Sequence, residues 1–262
     1  MKKTFVLCVC ALTAITAVSA LFSSCSKKEE TKKIVVGLDD NYPPMGFVDE
    51  NNEIVGFDID VAKEASKRLG FNVEFKPIDW SSKEAELKSR RIDVLWNGLD
   101  ITEKRKENMM FSEPYMDNRQ IMFVPAGKSS EYKFEADLAG KVVATQSGGT
   151  AEEYLDGNEA LRSSFKDFKK YPDYIAAFID MQNGRVDVVV SDEITGRYYM
   201  NKHPNDFEAV DVVVGPVSEF GIGFRKEDVE LRNTVQKVLD ELKADGTMAK
   251  ISEKWFAADI TK

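Results

Sequence analysis

Asn97-Gly98-Leu99-Asp100-Ile101-Thr102-Glu103-Lys104-Arg105 is one of two polar clusters around which the chain is organised; the other, far along it, is Ser191-Asp192-Glu193. Each follows a short apolar run with the same lead-in: Arg91-Ile92-Asp93-Val94-Leu95-Trp96 before the first, Arg185-Val186-Asp187-Val188-Val189-Val190 before the second. Runs of this length and β-branched content match buried parallel strands, which places both clusters at strand C-terminal ends. Open α/β sheets bind their ligands there. The first cluster supplies a fixed cation in Arg105 and the second a carboxylate in Asp192. Facing one another across a cleft, these fit the two ends of an α-amino-acid zwitterion.

The alternation of strand and helix extends through the chain. Lys33 to Asp39 reads as a first strand, and Asn41-Tyr42-Pro43-Pro44 can only turn, holding Tyr42 at that strand's end. Val61, Ala65 and Leu69 share one face of a helix over Asp58 to Leu69, which Gly70 ends. Asn72 to Ile78 is a second strand, and Ser81 with Glu84 predicts a reciprocally capped helix through Lys88, displaying Trp80 at its start. Ile92 to Trp96 is the third strand, and Thr102 caps a short helix carrying Arg105. The pattern repeats with a strand at Lys141 to Thr145, a capping box at Thr150 and Glu153, a helix at Tyr174 to Gln182 and a strand at Val186 to Val190. This βαβ grammar predicts an α/β protein of two Rossmann-like lobes with mainly parallel sheets. Residues 33–117 and 216–262 form lobe 1 and residues 118–215 lobe 2, with Gln120 to Val124 and Val210 to Val214 as the two hinge strands. The return to lobe 1 runs through Gly221 to Lys226, a helix from Asp228 to Lys243 and another ending at Trp255.

In a chain of 262 residues, residues 1–24 have the layout of an export signal: Lys2 and Lys3, an apolar run from Phe5 to Phe22, then small residues before Cys25. A membrane-spanning anchor is the competing reading of that run, weakened by its Thr and Ser content. Phe22-Ser23-Ser24-Cys25 resembles a bacterial lipoprotein box, with ordinary cleavage after Val18-Ser19-Ala20 as the alternative. Cys8 and Cys10 lie within the apolar run, so Cys25 is the sole thiol of the mature chain and acylation would use it. Residues 25–32 are then a charged tether to the membrane. Without Lys2 and Lys3 the 36 basic side chains fall to 34 against 45 acidic ones, a net charge of −11. Such a chain repels phosphate backbones, which argues against nucleic acid as a partner.

Several strings in order resemble one family, the cluster 3 extracellular solute-binding proteins, which are the polar amino-acid receptors of bacterial ABC importers. They are Tyr42-Pro43-Pro44, Gly56-Phe57-Asp58-Ile59-Asp60, Asp79-Trp80, Ile92-Asp93, Ile101 to Arg105, Phe111-Ser112-Glu113-Pro114-Tyr115, Gly184-Arg185-Val186-Asp187 and Asp245-Gly246-Thr247 before Trp255, spanning residues 33–258. The resemblance implies a type II periplasmic-binding fold whose cleft closes on the ligand, a monomer working with a membrane permease. It also implies roles. Arg105 takes the α-carboxylate in a bidentate pair, and Asp192 takes the α-ammonium. Thr150, behind Gly148-Gly149 at a helix N-terminus, offers free N–H groups to the carboxylate. Asn97 and Gln146 join the site, and Gly98 and Asp100 offer backbone groups. Asp100 departs from the family's usual Ser or Thr, either doubling the ammonium site or turning outward. Tyr42 and Trp80 stack on the ligand side chain, since a Pro-Pro turn and a helix start place them poorly for a core. Asp39 addresses the distal polar group. Asp39, Asp100 and Asp192 against Arg105 sum to −2, favouring lysine, arginine or ornithine, although glutamine or cystine are also held by relatives with an acid at the position of Asp39.

Competing functions fit less well. A dehydratase-like enzyme on the same fold needs positioned acids, bases or a nucleophile. The single histidine, His203, sits in a helix-ending loop, Gln146 to Thr150 lacks the lysine of a phosphate loop, and no metal-ligand spacing or cofactor motif is present. A ligand-sensing module would carry further membrane-spanning or catalytic segments, and none is read in the sequence to Lys262.

Overall fold

The computed structural model describes residues 32–262; the expected export signal, the tether up to residue 31 and Cys25 lie outside the described residues. From Lys33–Leu38 (β1) the chain makes a small antiparallel sheet of Asn41–Tyr42 (β2), Gly46–Val48 (β3) and Ile54–Val55 (β4), then enters helix Phe57–Leu69 (α1). Gly70 stops α1 in the left-handed conformation, φ 66°, donating its N–H to the Lys67 carbonyl. There follow Asn72–Pro77 (β5), a 3₁₀ turn at Trp80–Ser82, Lys83–Lys88 (α2), Val94–Asp100 (β6), Glu103–Lys106 (α3), Met110–Phe111 (β7), Met116–Asn118 (β8) and Gln120–Pro125 (β9). After two 3₁₀ turns come Val142–Gln146 (β10), Thr150–Gly157 (α4), Glu159–Arg162 (α5), Asp167–Tyr171 (β11), Tyr174–Gln182 (α6), Val188–Asp192 (β12), Glu193–Lys202 (α7) and Phe207–Val213 (β13). The chain returns through Ser218–Phe224 (β14), Val229–Ala244 (α8) and Thr247–Phe256 (α9).

The strands form two larger sheets. One is ordered β5-β1-β6-β14-β7 with β8 also on β14, the other β11-β10-β12-β9-β13. Strand β1 runs parallel to β5 and β6, and β10 parallel to β11 and β12. The twin lead-ins explain this common architecture. The Asp93 carboxylate accepts the Val35 N–H at 2.9 Å while the Asp93 N–H meets the Val35 carbonyl at 2.8 Å. Asp187 does the same with Val142, at 2.7 and 2.9 Å. Each aspartate therefore pins the start of a buried strand beside the first of the parallel strands of its sheet.

Three local expectations are corrected. The runs Gln120 to Val124 and Val210 to Val214 are not free hinge strands: β9 and β13 pair with each other inside the second sheet, and the chain crosses at Arg119 and at residues 214–217. Strand β6 does not stop at Trp96 but carries the polar cluster through Asp100, because β14 pairs antiparallel along its far half. Neither capping box forms. Asp79 accepts the Ser81 N–H at 2.9 Å and α2 starts only at Lys83, while Gly149 holds the N-cap of α4 and leaves the Thr150 hydroxyl for other use.

Candidate functional site

The C-terminal ends of the parallel strands of both sheets meet in one seam, and the polar side chains there are buried. Asp39, just past β1, receives the Asn41 N–H at 2.9 Å and, from the opposite lobe, Gln146 Nε2 at 2.5 Å. Its own N–H is held by Asn97 Oδ1 at 3.0 Å. Burial pushes the Asp39 carboxyl up to about 6, against the pull of its Asn41 and Gln146 hydrogen bonds. Asp192 ends β12 at the N-cap position of α7, yet its side chain makes no cap bond. Instead its Oδ1 accepts from Asn118 Nδ2 at 2.5 Å and from Gln120 Nε2 at 2.6 Å. Burial and the nearby Asp100 charge raise its pKa.

Arg105 is 3% exposed, held by the helix that Thr102 caps through the Arg105 N–H at 3.2 Å. Its Nη1 donates to the Asp100 carbonyl at 2.9 Å and its Nη2 to the Gly148 carbonyl of the other lobe at 3.4 Å. Gly148 sits at φ +76°, and a Cβ there would lie 2.7 Å from Ser81 Cα. Only glycine lets the two lobes' backbones approach this closely. Asp100 turns inward, against the outward alternative: Oδ1 accepts from Asn118 at 2.9 Å and Ser218 at 2.5 Å, and Oδ2 from the Thr150 hydroxyl at 2.5 Å. Arg105 and Asp192 thus converge on Asp100, one through its carbonyl and the other through the shared Asn118.

Other expectations change in detail. The Gly98 N–H is taken by the Asp58 carboxylate at 2.6 Å, so it is not offered to the cleft. Of the glycine-loop donors, Gly148 N–H goes to Glu152 and Gly149 N–H to the Gln146 carbonyl. The aromatics are not displayed clear of the core. Trp80 packs in an apolar cluster with Leu87, Leu95 and Leu99, because the 3₁₀ turn folds it back over the sheet. Tyr42 belongs to the main core with its ring 6.2 Å from Tyr174.

Six residues of the seam were not anticipated: Lys83, Asn118, Gln120, Thr145, Tyr174 and Ser218. Lys83, 5% exposed, donates from Nζ to the Gly148 carbonyl at 2.7 Å and to the Trp80 carbonyl at 3.3 Å. Burial, with Arg105 adding like-charge repulsion, pushes its ammonium down to about 7. The Tyr42 and Tyr174 hydroxyls, Thr145 Oγ1, Asn97 Nδ2 and Gln120 Oε1 are buried without a well-aligned hydrogen bond among the described residues, the two tyrosine hydroxyls lying close to Asp192. Buried polar atoms are normally paired, so five orphans around three carboxylates mark a place built for a polar guest. An open groove of about 1270 Å³ beside the crossing strands touches Asn118 and Ser218 but none of the eleven expected ligand residues. The orphaned atoms locate the chemistry better than that volume does, since a closed seam leaves no open groove to find. Among the described residues no acid, histidine and cysteine cluster could hold a metal.

The chain matches the family model "Bacterial extracellular solute-binding proteins, family 3" over residues 34–258. It is 33% identical to the L-cystine-binding protein TcyJ of Escherichia coli (strain K12), over 90% of this chain and 87% of the relative. It is also 33% identical to ABC transporter arginine-binding protein 1 of the same organism, over 86% and 91%. An ABC uptake transporter substrate-binding protein from Streptococcus pneumoniae with bound histidine superposes with a TM-score of 0.82 at 34% identity, covering 88% of this chain and 94% of that one.

Proposed function

Because the chain belongs to the bacterial extracellular solute-binding proteins, family 3, we propose that it captures a free polar L-amino acid by closure of its two lobes and delivers it to an ABC permease. The single observation that carries this is the set of five orphaned polar atoms around Asp39, Asp100 and Asp192 in a seam to which both lobes contribute. Asp192 meets the α-ammonium, Arg105 and the start of α4 meet the α-carboxylate, and Asp39 with Gln146 addresses the side chain. A protonated Lys83 changes the formal charge count of the site from −2 to −1, which still suits a cationic side chain and also admits a neutral one. The relatives named for arginine and for cystine fit that range.

Closure is the means of capture. In the open form each half-site binds only one end of the ligand, and a ligand shifts the equilibrium only by its differential affinity for the closed form. The residue pairs Gln146–Asp39, Thr150–Asp100 and Lys83–Gly148 show which contacts lie across the seam when it is shut. The protein acts as a receptor rather than a catalyst, exported and held at a membrane by a lipid on Cys25. The mass of the mature N-terminal peptide tests the last point, since a processed chain beginning before Cys25 or lacking acyl mass removes the anchor.

Calorimetric titration with the common amino acids and L-cystine tests the whole reading, with product analysis in the same samples to detect turnover. Arg105→Ala and Asp192→Ala are each expected to lose about 2–5 kcal/mol of binding, because the ligand's opposite charge is left buried and unpaired. A loss of less than about tenfold in affinity in either variant, or turnover of the bound amino acid, overturns it.

A further inference from the structure

Lys83 is a buried cation with no anion bonded to it. It is the first residue of α2, the end of a helix that a positive charge least favours. Its Nζ donates to two carbonyls, Trp80 at 3.3 Å on its own lobe and Gly148 at 2.7 Å on the other. The Arg105 guanidinium, also buried, reaches the same Gly148 carbonyl from α3 at 3.4 Å. Two cations thus converge on one uncharged oxygen in the shut seam. The carboxylates around them are engaged elsewhere. Glu84 accepts from Asn108 at 3.0 Å, Glu152 accepts the Gly148 N–H at 2.5 Å and pairs with Lys170 at 2.8 Å, and Glu153, 3.9 Å from Arg105 Nε, is shared with Lys104. The Trp80 ring, its centre 5.2 Å from Nζ, offers only a π face. Desolvating an ammonium without a counter-charge is costly, and the Arg105 charge adds to that cost. Groups held in this way gather at functional sites.

We propose that Lys83 acts with Arg105 as a second cation reserved for the ligand's α-carboxylate, so that the seam shuts on a free amino acid and discriminates against one whose carboxyl group is blocked. The inference rests on the amino-acid reading above and adds to it a residue outside the expected ligand set. A carboxylate gripped by Arg105 supplies the missing negative charge to both cations, and in a water-excluded seam that attraction is little screened. A blocked carboxyl leaves the two cations facing one another. Lys83 is therefore a specificity-determining residue that acts through its charge.

The test uses the full chain at pH 6, where Lys83 and the ligand's α-amino group are both protonated. The probes are the tightest-binding amino acid of the calorimetric screen and its α-carboxamide, which for arginine is L-argininamide. The quantity read is the ratio of the two dissociation constants. Lys83→Met is expected to lower the preference for the carboxylate about tenfold. Lys83→Gln, which removes the charge yet keeps an amide donor for the Gly148 carbonyl, is expected to do the same and carries the test alone if the methionine variant does not fold. Lys88→Met, at the exposed end of the same helix, controls for diffuse charge and should leave the ratio unchanged. An unchanged ratio in the Lys83 variants overturns the proposal, even where both probes weaken together, because Lys83 then only clasps the lobes. A matching fall in Lys88→Met also overturns it. A wild-type chain that binds no amino acid fails the functional reading itself, a different result from Lys83 variants that bind with an unaltered ratio.

Discussion

Gly98 shows how a single position joins the core to the site. Its φ of +52° lies in the left-handed region, and a Cβ would stand 2.7 Å from Tyr42 Cε1 and 3.3 Å from Phe220 Cζ. The Tyr42 ring therefore rests on bare backbone, and that contact sets where its orphaned hydroxyl sits beside Asp192. Gly98→Ala is expected to cost about 1–3 kcal/mol of stability from the strained dihedral and the displaced ring. It should also weaken ligand binding, because Tyr42 must move. Urea unfolding alongside titration calorimetry checks both, and unchanged affinity would detach Tyr42 from the site. Arg105 and Asp192 were legible in the sequence because each follows an apolar strand at the point where a helix begins. Lys83 was not, since Glu84 and Glu86 around it make a short helix look solvated. Its burial comes from the Gly148 carbonyl 65 residues away, and no local pattern records that. Asn118 and Gln120 were hidden for a related reason: they flank a lobe crossing, where neither helical nor strand periodicity distinguishes a site residue from a spacer.

At the scale of elements, the two lobes are variations on one arrangement, each with an aspartate clamping a buried strand to its neighbour. The clamps are not equal. Asp93 also receives Arg225 Nη2 at 3.2 Å, and that guanidinium is buried, donating as well to the Leu87 and Ile92 carbonyls. Asp187 has no such buried cation among its hydrogen-bond partners and clamps only Val142. Removing either carboxylate leaves a strand N–H without its acceptor, at about 1–3 kcal/mol. Removing Asp93 also strips a charge from a buried arginine that retains Asp228. Asp93→Ala is therefore expected to destabilise more than Asp187→Ala, with the two effects additive because they lie in different sheets. Chemical denaturation of the two single variants and the double variant reads this directly; equal single effects would mean that Asp228 alone suffices for Arg225. The strands and long helices were legible because hydrophobic period and glycine stops agree over many residues. The starts of α2 and α4 were not, because Asp79 and Gly149 compete for the N-cap with residues of similar local character, and tertiary packing decides between them.

The whole molecule carries its burden of buried acid in one direction of pH. Asp58, at the start of α1, accepts the Gly98 N–H at 2.6 Å and the Tyr115 hydroxyl at 3.0 Å, both on Oδ2, while Oδ1 has no partner among the described residues. Burial pushes its carboxyl up to about 7, outweighing those two hydrogen bonds. Asp39 is raised to about 6 and Asp192 is raised as well, both chiefly by burial. A carboxyl whose folded pKa is raised favours the native state below its unfolded value, near 3.8, and that contribution is lost as pH rises through the folded value. Between pH 5 and pH 8 the wild-type chain is therefore expected to lose stability, with Asp58 supplying on the order of 2–3 kcal/mol of the fall. Lys83, lowered to about 7 by burial, acts in the opposite sense above pH 7 and offsets part of the fall at the top of this window; the half-buried Asp180 and the exposed Asp245, lowered to about 2 by Arg185 and by Thr247 with Arg68, act only in strong acid, outside it. Asp58→Asn isolates the effect. Its carbonyl oxygen can accept from both Gly98 and Tyr115, its amide takes the place of the orphaned oxygen, and it has no proton to lose. Unfolding of both chains at pH 5 and pH 8 should show a marked drop for wild type and a much smaller one for Asp58→Asn, with the variant the more stable at pH 8. Parallel slopes in the two proteins would place the titrating group elsewhere, leaving Asp39 and Asp192 in the binding seam to account for the pH dependence.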